Sequence, residues 1–193
     1  MINIPDLLTS VIEKRRSVFP PMFTDDIIDD KLVNRILDSA NWAPNHRKTE
    51  PWRFVVFSGE SRTALSDYCC QWYKENTPAE KFSELKYNKT AKKALQSSHV
   101  IAICMHRDPK ESVPEWEEIA AVACAVQNMW LTTQVLGLGG YWSSPGSALA
   151  ASEFLKLEKG QKCLGWFYLG KPKEGLVLNS DRGPIEEKVT WNK

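Results

Sequence analysis

The stretch around which the apolar positions of this chain are organised runs from Glu117 to Ser144. Ile119 to Val126 carries no polar side chain, and Met129, Trp130, Leu131, Val135 and Leu136 continue the segment. Its length and its alanines (Ala120, Ala121, Ala123, Ala125) predict a helix rather than a strand. Because it is apolar nearly all round, it is expected to be central and buried. Gln127, Asn128, Thr132, Thr133 and Gln134 interrupt it well short of the ~20 apolar residues a membrane span needs. Small residues on several faces would also admit another backbone, including one from a second subunit. Gly137-Leu138-Gly139-Gly140 then turns the chain into a short strand ending in Trp142, Ser143 and Ser144.

The other elements follow from the same periodicities. Leu7, Leu8, Val11 and Ile12 predict a first helix over Pro5–Arg16. Thr24 is the expected cap of a second, whose apolar face runs from Ile27 to Ala40. Continuous apolar runs predict strands at Arg53–Phe57, His99–His106 and Cys163–Gly170, the middle one covered on both sides. Helices are expected over Glu60–Lys74, Ala79–Ser97 and Ala148–Leu157, the last stopped by Gly160. Ser112 with Glu115 has the spacing of a capping box for the long helix. Glu174–Lys193 shows little periodicity. Val189–Trp191 is its one candidate edge strand, and the tail is expected to lie over a neighbouring subunit.

Length and composition narrow the function. With 193 residues and a formal net charge of +1, the chain is expected to be one domain, with no general attraction to nucleic acid or an anionic membrane. The cysteine count, 5, is odd, and no Cys-x-x-Cys occurs. This predicts reduced, buried thiols in a reducing compartment. The first residues show no basic stretch followed by an apolar core, so a cytoplasmic location is expected. Gly-x-Gly-x-x-Gly, a phosphate-binding Gly-Lys-Ser/Thr loop and Gly-x-Ser-x-Gly are all absent.

Three stretches carry candidate chemistry. Lys14-Arg15-Arg16-Ser17 closes the first helix, either as a solvated cap on the dipole or as an anion site with two guanidinium forks and a hydroxyl. Asn45–Trp52 is a polar loop between a strong helix and a strong strand, where binding groups collect. There His46 and Lys48 can donate to an electron-rich heterocycle, and a lone histidine argues against a metal site. The lysines of Ala79–Ser97 are a solvated face or a basic rim for a phosphorylated cosubstrate. Of the 8 tryptophans, most are read as core and interface filler, but Trp42, Trp52 and Trp142 adjoin turns where a planar ligand can stack.

The order of these motifs resembles a known family. Arg15-Arg16-Ser17 is followed by Ala43-Pro44-Asn45-His46 and Pro51-Trp52-Arg53-Phe54-Val55-Val56. The long alanine-rich helix, Gly137-Leu138-Gly139-Gly140-Tyr141-Trp142 and Gly165–Pro172 come next. Together they resemble the FMN-dependent nitroreductases, most closely their compact single-domain branch. The resemblance implies an α+β fold, with a mostly antiparallel sheet flanked by helices, and an intertwined homodimer with FMN at the subunit interface. It implies that Arg15, Arg16 and Ser17 hold the FMN phosphate. Trp42 and His46 would lie along the flavin, and Trp142, Ser143 and Ser144 would contact it from the other subunit. Thr132–Gly137 is the implied nicotinamide contact.

Three positions depart from the family pattern. Phe19 stands where many members have Lys, Glu50 where many have Gln, and Ser143 where compact members have Arg. Arg16, His46 and Lys48 are left to stabilise charge on the reduced ring, with Arg182 as a replacement for the missing arginine. The activity implied is an NAD(P)H-dependent oxidoreductase that reduces nitro compounds, quinones or related small acceptors by ping-pong hydride transfer through flavin N5. No catalytic side chain is assigned. The alternatives are a flavin-handling protein of the same fold without nitroreductase turnover and a flavin-free structural dimer.

Overall fold

The axis of the fold is strand β2 (His99–His106). The computed structural model describes residues 3–193; Met1 and Ile2, part of the N-terminal stretch read above, lie outside the described residues. β2 pairs antiparallel with β1 (Trp52–Phe57) on one side and β4 (Gln161–Gly170) on the other, and β3 (Gly139–Ser143) pairs antiparallel with β4. The four-stranded order is therefore β1-β2-β4-β3. The continuous apolar run of β2 has a simple cause. Ile101, Ile103 and Met105 point to one face while Val100, Ala102 and Cys104 point to the other, and helices cover both.

On the first face lie α2 (Asp30–Ala40) and α5 (Glu115–Val135), with Ile36, Val122, Ala125 and Met129 packed against Phe167 and Leu169. On the second lie α3 (Ser61–Glu75), α4 (Glu84–Leu95) and the single turn α6 (Gly146–Leu149), around Leu65, Ala94, Ala148 and Trp166. The register between β2 and β4 slips between Ile103 and Cys104. The bulge places Cys163 and Trp166 on the same face despite their odd spacing. Gly165 sits in it at φ +149°, where a Cβ would fall 2.4 Å from Trp142 Nε1.

Several expected boundaries move, each for a local reason. α2 is capped by Asp29, whose carboxylate accepts from the Lys31 N–H at 2.8 Å, and not by Thr24. The Thr24 hydroxyl instead donates to Asp26 at 3.0 Å and closes a turn. The Ser112–Glu115 capping box does not form. The Ser112 hydroxyl donates to Asp108, and Pro114 occupies the cap of α5. Of the helix expected over Ala148–Leu157 only Ala148 and Leu149 are helical, as the end of the turn Gly146–Leu149; beyond it Phe154 stacks on Tyr68 at 4.2 Å. Ala79–Ser97 splits into a 3-10 turn (Ala79–Lys81) and α4, which Ser83 caps. Val189–Trp191 is not a strand; the tail has a 3-10 turn at Glu186–Lys188.

The long helix is not buried all round within one chain. Ala121, Val122, Ala125, Val126 and Met129 are buried, but Trp116, Ala120, Ala123, Cys124, Gln127 and Val135 form an exposed stripe. Cys124 is consequently an exposed thiol, against expectation. Helix α1 (Ile4–Lys14) likewise leaves Leu7, Leu8 and Ile12 exposed.

Candidate functional site at the two ends of the long helix

The cationic segment that ends α1 is fixed by backbone contacts. Arg15 leaves the helix in an extended conformation, and Ser17 then bridges Gly140 at the start of β3. The Gly140 carbonyl accepts from the Val18 N–H at 3.0 Å and from the Trp130 indole N–H at 3.0 Å. The chains approach so closely here that a Cβ on Gly139 would lie 2.8 Å from Val18 and from Phe23. Glycine is needed at this position for space.

The two guanidinium groups have different surroundings. Arg16 donates through Nε to the Leu178 carbonyl at 3.2 Å and through Nη1 to the carbonyls of Arg15 and Glu13, so it ties the C-terminal tail to the helix end. Arg15 lies over the Trp130 ring, 4.5 Å from its centroid. Its Nη1 is buried and has no hydrogen-bond partner among the described residues. Burial, followed by the positive fields of Arg182 and Arg16, lowers its pKa from the ordinary guanidinium value. An anion at this point would both satisfy the N–H and offset the crowding of like charge.

Trp142 lies on β3 opposite Phe167, and its Nε1 is also buried and without a partner among the described residues. Ser143, opposite Trp166, is half-buried, and Ser144 is exposed just beyond the strand. These residues and Arg15-Arg16-Ser17 are brought to the same edge of the sheet.

His46 is elsewhere. Its Nδ1 lies 2.6 Å from Glu117 Oε2 in the first turn of α5. A carboxylate only accepts, so Nδ1 carries a proton and Nε2 is the nitrogen left for other partners. Glu117 was not a sequence candidate, because an acid in a first helical turn is ordinary complementation of the dipole. Trp42 projects into solvent at 86 % exposure.

The separation within one chain is large. Glu117 and Trp130 lie about 20 Å apart along α5 at ~1.5 Å per residue. The sheet agrees. The His46 loop enters β1 at Trp52, opposite Met105 at one end of β2, whereas Gly140 pairs with Leu169, which faces His99 at the other end. One chain therefore does not bring all the candidates together.

An antiparallel sheet of order β1-β2-β4-β3 between helical layers, with a cationic helix end beside its β3 edge, defines an α+β protein. Residues 12–171 match the Nitroreductase family, and the chain belongs to it. The crystal structure of a nitroreductase-like family protein from Bacillus cereus is 30% identical, covers 96% of this chain and 95% of its own, and superposes with a TM-score of 0.78. YfhC of Bacillus subtilis, provisionally named an NAD(P)H nitroreductase, is 26% identical over 98% of this chain and 96% of its own length. At 16% identity the fold also matches the FMN-dependent nitroreductase NfnB from Mycobacterium smegmatis, solved in complex with NADPH (TM-score 0.78; 99% and 100% covered).

Proposed function

We propose that this protein is an NAD(P)H-dependent FMN oxidoreductase that works as a homodimer and reduces nitro compounds, quinones or related small acceptors. The observation that carries this reading is the buried Arg15 Nη1, without a partner among the described residues, in a cluster with Arg16 and Arg182. A phosphate group answers both the orphan donor and the concentrated charge, so these residues fit FMN. Arg15, with the Ser17 hydroxyl, would hold the phosphate, while Trp142, Ser143 and Ser144 frame the ring from the β3 edge. Bound there, FMN supplies the two-electron chemistry that links nicotinamide to acceptor.

The same geometry supports the homodimer. His46 and Arg15 mark opposite ends of α5, and a small-residue stripe is exposed between them. A second copy packed antiparallel on that stripe would place the partner's His46 beside the Arg15 cluster and complete two equivalent sites. In this arrangement His46, held by Glu117 at Nδ1, presents Nε2 to the reacting molecules; as an imidazolium it would give its Nε2 proton to the acceptor and take another from solvent. Trp42 and the apolar face of α1 would be covered at the same time.

The visible absorption spectrum of the purified protein, before and after anaerobic NADH or NADPH, tests the reading. A flavin spectrum that bleaches with either donor is the expected result. A protein that stays colourless after incubation with FMN overturns it. A relative named for a different activity, the 5,6-dimethylbenzimidazole synthase of Rhodospirillum rubrum, is 26% identical over 96% of this chain and 89% of its own length, so a protein of the same fold that binds FMN without nitroreductase turnover is the second reading. Bound flavin that no acceptor reoxidises would select it.

A further inference from the structure

A second concavity, of about 520 Å³, lies between the His46–Lys48 turn, the start of β1 and the loop from Arg107 to Ser112. It gathers cations from three separate parts of the chain: Arg47 and Lys48, Arg53, and Lys110. Among the described residues none of these four forms an ion pair. Two of the nearby acids, Glu118 and Asp108, are already engaged, and Asp108 is the one carboxylate that lines the groove. Glu118 stands 2.7 Å from Arg107 Nε, a charge contact without hydrogen-bond alignment. The Asp108 carboxylate accepts from the Ser112 hydroxyl and from the backbone N–H groups of Ser112 at 3.0 Å and Lys110 at 3.2 Å. Arg53 spends Nη1 on the carbonyls of Glu50 and Trp52 and keeps its other N–H groups.

The backbone reinforces the point. Arg47 and Lys48 are consecutive residues in the left-handed region, at φ 54° and 56°. Glycine or asparagine holds that conformation with less strain. The chain instead places two cations there, beside two more, in a protein whose net charge is only +1. Four exposed cations against one lining carboxylate raise the positive potential of the groove and favour an anion there. A carboxylate would compensate only a small part of this charge. A phosphate monoester is close to dianionic at pH 7 and offers three acceptor oxygens, which suits guanidinium forks and lysine point charges together.

We propose that this groove is a binding site for a phosphate monoester. Two sources share that chemistry: the ribose 2′-phosphate of NADPH, and a phosphorylated acceptor or free phosphate. The groove begins one residue from His46, so the first source would make it the element that selects NADPH over NADH. That part rests on the oxidoreductase reading above; phosphate binding itself does not.

The test uses FMN-incubated full-length protein and the Arg47→Gln/Lys110→Gln variant. Calorimetric titrations with 2′-AMP, 5′-AMP and adenosine at fixed ionic strength are paired with KM for NADPH and NADH. The proposal expects at least one monophosphate to bind where adenosine does not, and the variant to weaken it by about tenfold or more. A matching rise in KM for NADPH alone, with NADH unchanged, assigns the donor's phosphate. An unchanged NADPH-to-NADH ratio with weakened monophosphate binding assigns another phosphorylated ligand. The proposal is overturned if neither monophosphate binds better than adenosine, or if the variant, with an unchanged thermal midpoint, binds as tightly as the parent. A colourless protein inactive with both donors would sink the oxidoreductase reading, while the titrations would still decide the groove.

Discussion

The guanidinium carbon of Arg15 sits over Trp130, 4.5 Å from the ring centroid, and its buried Nη1 meets no hydrogen-bond acceptor among the described residues. The indole that supports it also donates to Gly140, so one tryptophan positions the cation and anchors the strand beside it.

Removing that cation should cost binding before it costs folding. Arg15→Ala is expected to raise the FMN dissociation constant by about 10–100-fold, the usual worth of a charge-assisted pair. Arg15→Lys keeps the charge without the fork and should fall between the two. Fluorescence-quenching titrations with FMN measure both. Unchanged affinity in Arg15→Ala would remove Arg15 from the site.

The His46–Glu117 contact predicts a different signature. Glu117→Gln keeps the side chain's shape but weakens its hold on the Nδ1 proton of His46. Turnover is expected to fall by about tenfold or more, within the range of general acid–base effects, with bound flavin retained. His46→Ala should fall at least as far. Rapid-mixing experiments should place the loss in acceptor reduction and spare reduction by nicotinamide. Equal slowing of both steps would argue for a structural role only.

The exposed stripe of α5 predicts that assembly and flavin binding fail together. Cys124 is exposed in the middle of it. In the proposed homodimer Cys124→Glu would place a charge where two small-residue surfaces meet, which costs about 3–5 kcal/mol when buried unpaired. Light scattering should then report monomers, and FMN should be lost in the same fractions. Monomers that retain FMN would show that a single chain completes the site.

Acid should loosen the loop that precedes α5. The Ser112 hydroxyl, then the backbone N–H groups of Ser112 and Lys110, hold the Asp108 carboxyl below its ordinary value. A depressed folded pKa stabilises above the unfolded value, near pH ~3.9, and that contribution disappears as pH falls through the folded pKa. Asp108→Asn should therefore be less stable than the parent at pH 7. The gap in thermal midpoint should close progressively as pH falls below about 4.

Much of the frame was legible in the sequence, and the reasons for the misses are local. β2 is bounded as its apolar run predicted, because a strand covered on both faces has no polar position to blur its ends. Thr24 and Ser112 were misread because a neighbouring aspartate takes each hydroxyl before a helix can. Cys124 departs from expectation because an apolar pattern does not show which of its faces turns to the core of its own chain. For the site, the run Arg15-Arg16-Ser17 and the His46 loop were visible as motifs. Their partners Trp130 and Glu117 were not, because each contact joins residues distant in the chain.

The clasp at Gly140 has one more consequence. The segment carrying Arg15, Arg16 and Ser17 is held to the sheet through main-chain atoms, by the Val18 N–H and the Ser17–Gly140 bridge. Side chains add to this mounting: Arg16 Nε reaches the Leu178 carbonyl and Arg15 rests on the Trp130 ring. Exchanging one of them removes a single tie and leaves the main-chain clasp, so the segment can lose a cation without losing its place on the sheet.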